Sequence, residues 1–205
     1  IELIGTAKSE GARIAGAPLD VRDRNGISAA VSAAVDQFSG IDALFNVAGT
    51  NLPRNVEEIE DDEWHGILET NLSSVYRCSK QVIPHLRRRG GGSIVNVASV
   101  MGLVGTRGAV AYVAAKGGVV NLTRATALDH AADGIRINAV CPGPVDTDMW
   151  QLIDRQYSES DGRPLGTALK ERMAGIPMGR AEKAEDLTGM ALFLASSDSD
   201  FITGQ

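Results

Sequence analysis

Tyr112 and Lys116 stand four positions apart in "AYVAAKGG", and on a helix of 3.6 residues per turn that spacing sets two side chains on one face, within about 40° of each other. A free phenol ionises near pH 10, and a cation held a few ångströms away favours the phenolate and lowers that value by about 1–3 units. The expected product is a tyrosine able to take or give a proton near neutral pH. So short a motif is weak by itself and needs companions. Ser99 is one: it follows "NVA" at the exit of an expected strand, where a hydroxyl can donate to a substrate oxygen or simply turn the chain. Asn71 is another, one turn from Leu68 and Val75 in a stripe that should face the core. A buried amide without partners costs about 1–3 kcal/mol, so Asn71 must be bonded, to functional groups or within a bent helix holding water. "NVAG" at 46–49 brings backbone without bulk to a sheet edge, and Ala48 and Gly49 allow a flat ligand, or only a tight turn, to sit closely there.

These residues need elements to carry them. "IELIGTAKSEGARIAG" reads as a helix already under way, and "GAPLDV" as a buried parallel strand ending at Asp20. Ile27, Val31, Val35 and Phe38 recur at helical spacing up to Gly40. "IDALFNVAG" is the next strand. Trp64, Leu68, Leu72, Val75, Val82, Ile83 and Leu86 then trace a long amphipathic helix from Glu60 to Arg89, closed by "GGG". "SIVNVAS" is again a strand, followed by a helix over 109–132. Gly117 and Gly118 inside that helix cost about 1 kcal/mol each relative to alanine, which implies close packing of another backbone. "IRINAVCPGPV" is a further strand stopped by Pro142 and Gly143, and residues 148–182 form an irregular region of short helices. Strand and helix alternate with connections too long for hairpins, so the expected fold is α/β: a doubly wound, Rossmann-like parallel sheet in three α/β/α layers, forming a single domain over 1–205. Ligands of such sheets lie beyond the carboxyl ends of the strands.

Composition narrows the function. Hydrophobic residues make up 43 % and charged residues 22 % of the 205, an ordinary balance for a soluble domain, and no apolar run approaches the roughly 18 residues of a membrane span. A formal charge of −6 argues against a nucleic-acid surface. The one basic cluster, Arg87 to Arg89, is expected to face the negative end of its helix. Cys78 and Cys141 form neither a disulfide framework nor a metal knuckle, and His65, His85 and His130 lack ligand spacing. The expectation is a cytoplasmic protein with no metal.

The order and spacing of "LDV", "NVAG", "TNL", "NVAS", Y-x-x-x-K and "CPGPVDT" resemble the classical short-chain dehydrogenase/reductase family over essentially all 205 residues, with the serine thirteen positions before the tyrosine as the family pattern has it. The resemblance implies an NAD(P)-dependent oxidoreductase in which Asn71, Ser99, Tyr112 and Lys116 form a catalytic tetrad. It implies that Asp20 and Val21 hold adenine, that Asn46, Ala48 and Gly49 line the dinucleotide, and that Tyr112 and Lys116 also touch it. Pro142, Gly143, Val145 and Thr147 would grip the nicotinamide. "NVAG" departs mildly from the commoner N-N-A-G. The glycine-rich phosphate loop and the residue that reads the adenosine ribose are missing, so the chain is expected to lack about forty residues at its front and about a dozen after "ITGQ". The tail resembles the branch of polyol (sorbitol-type) dehydrogenases and acetoin or diacetyl reductases, which implies NAD, with NADP open, and a small polar secondary alcohol or vicinal diol. Ser99, Met101, Tyr112, Met149 and Trp150 are the substrate-contact candidates. A homotetramer packed through the helices at 60–89 and 109–132 is implied too. The rival readings are a non-catalytic dinucleotide sensor or scaffold on the same fold, and a 3-oxoacyl-type reductase.

Overall fold

The computed structural model describes Ser9 and residues 11–205. Of the expected opening helix, residues 1–8 and 10 therefore lie outside the described residues, and 12–16 are not helical. The strand expected in "GAPLDV" does not form: residues 16–20 are irregular and exposed. An apolar run becomes a strand only when a neighbouring backbone completes its ladder, and among the described residues none lies against this one.

Helix α1, Arg24–Phe38, starts at Asp23, whose carboxylate accepts from Asn25 N at 2.9 Å. It closes one residue before the expected Gly40, at Ser39 in the left-handed region. Strand β1 is Ala43–Asn46. The long helix is broken into α2, Asp61–Leu68, a single π-helical turn, Glu69–Ser73, and α3, Ser74–Arg89. Glu63 accepts from Glu60 N at 3.1 Å at its start, and all three expected arginines fall in its last turn. Strand β2, Gly92–Val97, leads through a short 3-10 turn to α4, Val110–His130, and then to β3, Ile135–Val140. Helices α5, Asp148–Asp161, α6, Thr167–Ala174, and α7, Ala184–Ala195, complete the chain.

The strands pair in parallel in the order β1-β2-β3, and the last residues run beside β3, with Gly204 N donating to Ile137 O at 2.8 Å and Ala139 N to Gln205 O at 2.7 Å. Register then decides which side chains meet. Leu44, Ile94 and Ile137 form one rung and, with Val82, Ile83, Leu86 and Ala127 of α3 and α4, make the largest core cluster. Two residues on, Asn46 and Asn96 share the next rung on the same face. Asn46 Nδ2 donates to Asn96 Oδ1 at 2.8 Å, and Asn96 Nδ2 donates to Thr123 Oγ1 at 2.8 Å. Buried polar groups persist when each finds a partner, and this chain of amides ties two strands to α4. The opposite face carries α7, held where Ser93 Oγ donates to Leu194 O at 2.7 Å. Helices on both faces of a parallel sheet are the architecture that the sequence pattern predicts.

At Gly118 a Cβ would meet Leu72 Cδ2 at 2.7 Å, the end of a side chain rather than the expected backbone. The backbone contact belongs to its neighbour: Gly102 of the 3-10 turn lies against α4 so closely that its own Cβ would stand 2.7 Å from Lys116 O. Among the described residues, no helix is long and apolar enough to cross a membrane. Both cysteines are free thiols.

Candidate active site

Beyond the carboxyl ends of β1, β2 and β3 lies a cavity of about 740 Å3. Tyr112 and Lys116 reach it from the first two turns of α4, and Ser99 from the residue that begins the 3-10 turn after β2. Ser99 is 8 % exposed and its Oγ accepts from Met101 N at 3.1 Å, an arrangement that fixes the hydroxyl on the cavity wall that Tyr112 also lines. Lys116, 4 % exposed, donates from Nζ to Val97 O at 2.7 Å, and the same nitrogen stands 5.7 Å from the centre of the Tyr112 ring. The spacing therefore does set the two groups together.

Their electrostatics differ from the expectation. Burial pushes the Tyr112 phenol above its ordinary value, the direction opposite to the expected one, with the Ser99 hydroxyl opposing it. Burial takes Lys116 down from 10.5 to about 8, against a smaller opposing effect of the Cys141 thiol. Removing water disfavours whichever form is charged, so one cause moves the acid up and the base down.

Asn71 is fully buried in the π turn, where its Nδ2 donates to Thr50 O at 2.8 Å and to Ile67 O at 2.9 Å while its Oδ1 accepts from Thr50 N at 3.2 Å. The extra residue of the π turn swings this amide out of the helix toward the loop after β1, and π bulges serve such aiming elsewhere. Its side chain clamps that loop and is not among the groups lining the cavity. Gly49 does line it: a Cβ there would stand 2.9 Å from Asn71 Oδ1 and 3.6 Å from Lys116 Nζ, so only a glycine keeps this wall open. Beside it, Asn51 Oδ1 is buried without a donor.

Pro142, Gly143, Val145 and Thr147 line the cavity on the β3 side, as do the substrate candidates Met101, Met149 and Trp150. The loop that carries the first four is stapled by Glu182, whose N–H donates to Pro144 O at 2.9 Å, whose carbonyl accepts from Asp146 N at 2.8 Å, and whose Oε1 accepts from Gly143 N at 3.2 Å. Four expected dinucleotide residues are placed otherwise. Asn46 turns its amide into the core network, because alternation along β1 directs it to the helix face. Ala48 is exposed and outside the cavity lining. Asp20 is exposed and bonded to Arg22, with Oδ2 accepting from Nη2 at 2.7 Å; this partner holds its carboxyl near 2, and neither Asp20 nor Val21 borders the cavity.

Sequence reasoning missed Asn51, Glu182 and Arg172, the last a cavity residue on α6. Asn51 lies two positions past "NVAG" and was within reach of that motif. Nothing local marks the other two.

A sequence profile of the family described as enoyl-(acyl carrier protein) reductase matches residues 3–205. Among curated proteins, meso-2,3-butanediol dehydrogenase of Serratia marcescens is 40 % identical over 186 residues, 91 % of this chain and 69 % of that protein. The 3-oxoacyl-(acyl carrier protein) reductase of Vibrio cholerae is 33 % identical over 214 residues, spanning 100 % of this chain and 83 % of that one. A crystal structure described as a short-chain dehydrogenase/reductase from Burkholderia xenovorans superposes with a TM-score of 0.91 at 30 % identity, covering 99 % of this chain and 76 % of its own.

Proposed function

The chain belongs to the classical short-chain dehydrogenase/reductase family of oxidoreductases, and we propose that Tyr112, Ser99 and Lys116 make its cavity a site for interconverting a secondary alcohol and a ketone. The observation that carries this reading is the convergence of a phenol, a hydroxyl and a buried ammonium on one cavity.

Members of this family use a nicotinamide cofactor. Two features of the wall suit one: the Cβ-free surface at Gly49, which admits a flat or sugar-like group against Lys116, and the orphan Asn51 Oδ1, which needs a donor such as a ribose hydroxyl. Gly49, Asn51 and Lys116 would hold the ribose, and Gly143, Val145 and Thr147 the carboxamide end. When bound, the nicotinamide supplies the hydride chemistry. The chain's own groups do the rest. Ser99 holds the substrate oxygen by a hydrogen bond, and Tyr112 gives or takes the proton at that oxygen. Lys116 has three donors, one of which is spent on Val97 O; the other two orient ligand hydroxyls and supply protons behind the tyrosine. Asn71 acts through the loop it clamps.

Within the family, the reading is a small polar secondary alcohol or vicinal diol as substrate and NAD as cofactor, supported by the tail and by the likeness to a butanediol dehydrogenase. Met149 and Trp150 of α5, with α6, form the substrate-binding region. A 3-oxoacyl reductase is the second reading, favoured by the Vibrio cholerae relative and by the mainly apolar lining. Assembly as a homotetramer through α2–α3 and α4 belongs to the proposal, and Tyr76 and Leu128 are exposed apolar residues on α3 and α4.

Substitution Tyr112→Phe tests the assignment. Folding should stay intact while nicotinamide-linked oxidation of 2,3-butanediol, or reduction of an acetoacetyl thioester, falls at least about 100-fold. Turnover within a factor of a few of the wild type refutes the role. Which of the two substrates the wild-type protein accepts separates the readings.

A further inference from the structure

The charge of the cavity opposes the charge of the chain. The sequence holds 26 acidic and 20 basic residues, net −6, yet among the described residues the only charged ones lining the cavity are Lys116 and Arg172, both basic. Lys116 is accounted for by Val97 O and by the chemistry at Tyr112. Arg172 is not. It is half-buried on α6, and its Nη2 donates to Thr106 Oγ1 at 2.6 Å, a neutral acceptor on the loop after the 3-10 turn. The carboxylates nearest to it along the chain or across α5 are otherwise engaged. Glu171 Oε2 pairs with Arg163 at 3.0 Å, and Asp154, 8 % exposed, accepts from Gly166 N and Ala168 N at the start of α6. Among the described residues, no ion pair involves Arg172.

A guanidinium presents five donors in a planar fork that matches a carboxylate. One donor is used by Thr106, and Met149, Trp150 and Ile153 give the cavity that Arg172 lines an apolar surface. Low polarity strengthens a charge-assisted bond to any anion that enters. We propose that Arg172 is the specificity residue of this cavity and that it receives a carboxylate, so that the substrate is a hydroxy acid or oxo acid whose carbinol or carbonyl carbon lies at Tyr112. This deepens the function proposed above and rests on it: the hydroxyl end is read by Ser99 and Tyr112, and the anionic end by α6.

The test pairs each of a series of linear 2-, 3-, 4- and 5-hydroxy acids of four to six carbons with its amide, and includes 2,3-butanediol as a neutral control. Wild-type protein, Arg172→Gln and Arg172→Lys are compared by kcat/KM with the nicotinamide cofactor. The wild type should prefer at least one acid over its amide. Arg172→Gln, which can still bond Thr106, should lower kcat/KM for that acid on the order of 30-fold, leave its amide and the diol within about 3-fold, and act mainly through KM. Arg172→Lys should restore part of the loss. Calorimetric binding of that acid to Tyr112→Phe, which does not turn over, should weaken to the same degree when Arg172→Gln is added. Equal losses for acid and amide would mean that Arg172 only staples α6 to the loop, and the inference fails. A wild type that oxidises diol or amide but prefers no acid overturns the inference and leaves the dehydrogenase reading standing. Oxidation of none of the compounds overturns both.

Discussion

Replacing Lys116 with methionine separates what the residue costs the fold from what it does for the reaction. Burial moves its ammonium from 10.5 to about 8, so between those values the unfolded chain binds more protons than the folded one and stability rises with pH. With the two values entered in the linkage relation, the lysine adds about 2 kcal/mol to folding stability between pH 7 and pH 9.5. Methionine fills a similar volume and does not titrate, at the expense of the bond to Val97 O, which contributes about 1 kcal/mol. Denaturant unfolding should therefore find Lys116→Met at least as stable as the wild type at pH 7. Its advantage should shrink by about 2 kcal/mol at pH 9.5, other groups cancelling in the difference, while turnover is lost at both. A stability difference that stays within about 0.5 kcal/mol between the two pH values would show that Lys116 keeps its charge throughout, and that desolvation does not govern this site.

Two further outcomes follow from the same geometry. Asn71→Ala removes three hydrogen bonds to Thr50 and Ile67 from a fully buried position and should lower stability by about 2–4 kcal/mol in denaturant unfolding; a loss below about 1 kcal/mol would mean that water replaces the amide. The ultraviolet titration difference between wild type and Tyr112→Phe, without ligand, should place the phenol's ionisation above pH 10, in the direction burial gives. Ionisation below pH 9 would mean that the lysine's charge reaches the hydroxyl after all.

What the sequence made legible was local. Tyr112, Lys116 and Ser99 were found because one helical spacing and one strand exit carry their chemistry, and the parallel three-layer fold because the period of apolar residues switches between elements. What stayed hidden depends on partners distant in the chain. "NVAG" shows that Asn46 is polar, but its side chain faces the core only because β1 pairs with β2 in the register Asn46↔Asn96, fifty residues away. "GAPLDV" has a strand's composition, and composition cannot supply the neighbour that a ladder requires. The stripe through Leu68, Leu72 and Val75 continues smoothly across Asn71, so the π turn leaves no gap in the pattern to announce it. Arg172 is one of many arginines until α6 folds over Thr106.

Burial acts on the pair that led into the site as well as the charge of one group on the other. Burial takes Lys116 down to about 8 and pushes the Tyr112 phenol above its ordinary value, so desolvation works against the charged form of each group. Proximity alone is therefore insufficient to make Tyr112 a base. Acceptors for the two donors that Val97 O leaves over offset that desolvation of the ammonium. Hydroxyl or anionic groups of a bound ligand provide them and raise the lysine's pKa, which extends the pH range over which its charge favours the phenolate. The glycine at 49 matters here, since a side chain would occupy the space 3.6 Å from Nζ where such a ligand has to lie. On this reasoning a ligand that fills the wall between Gly49, Asn51 and Lys116 favours the proton chemistry of Tyr112.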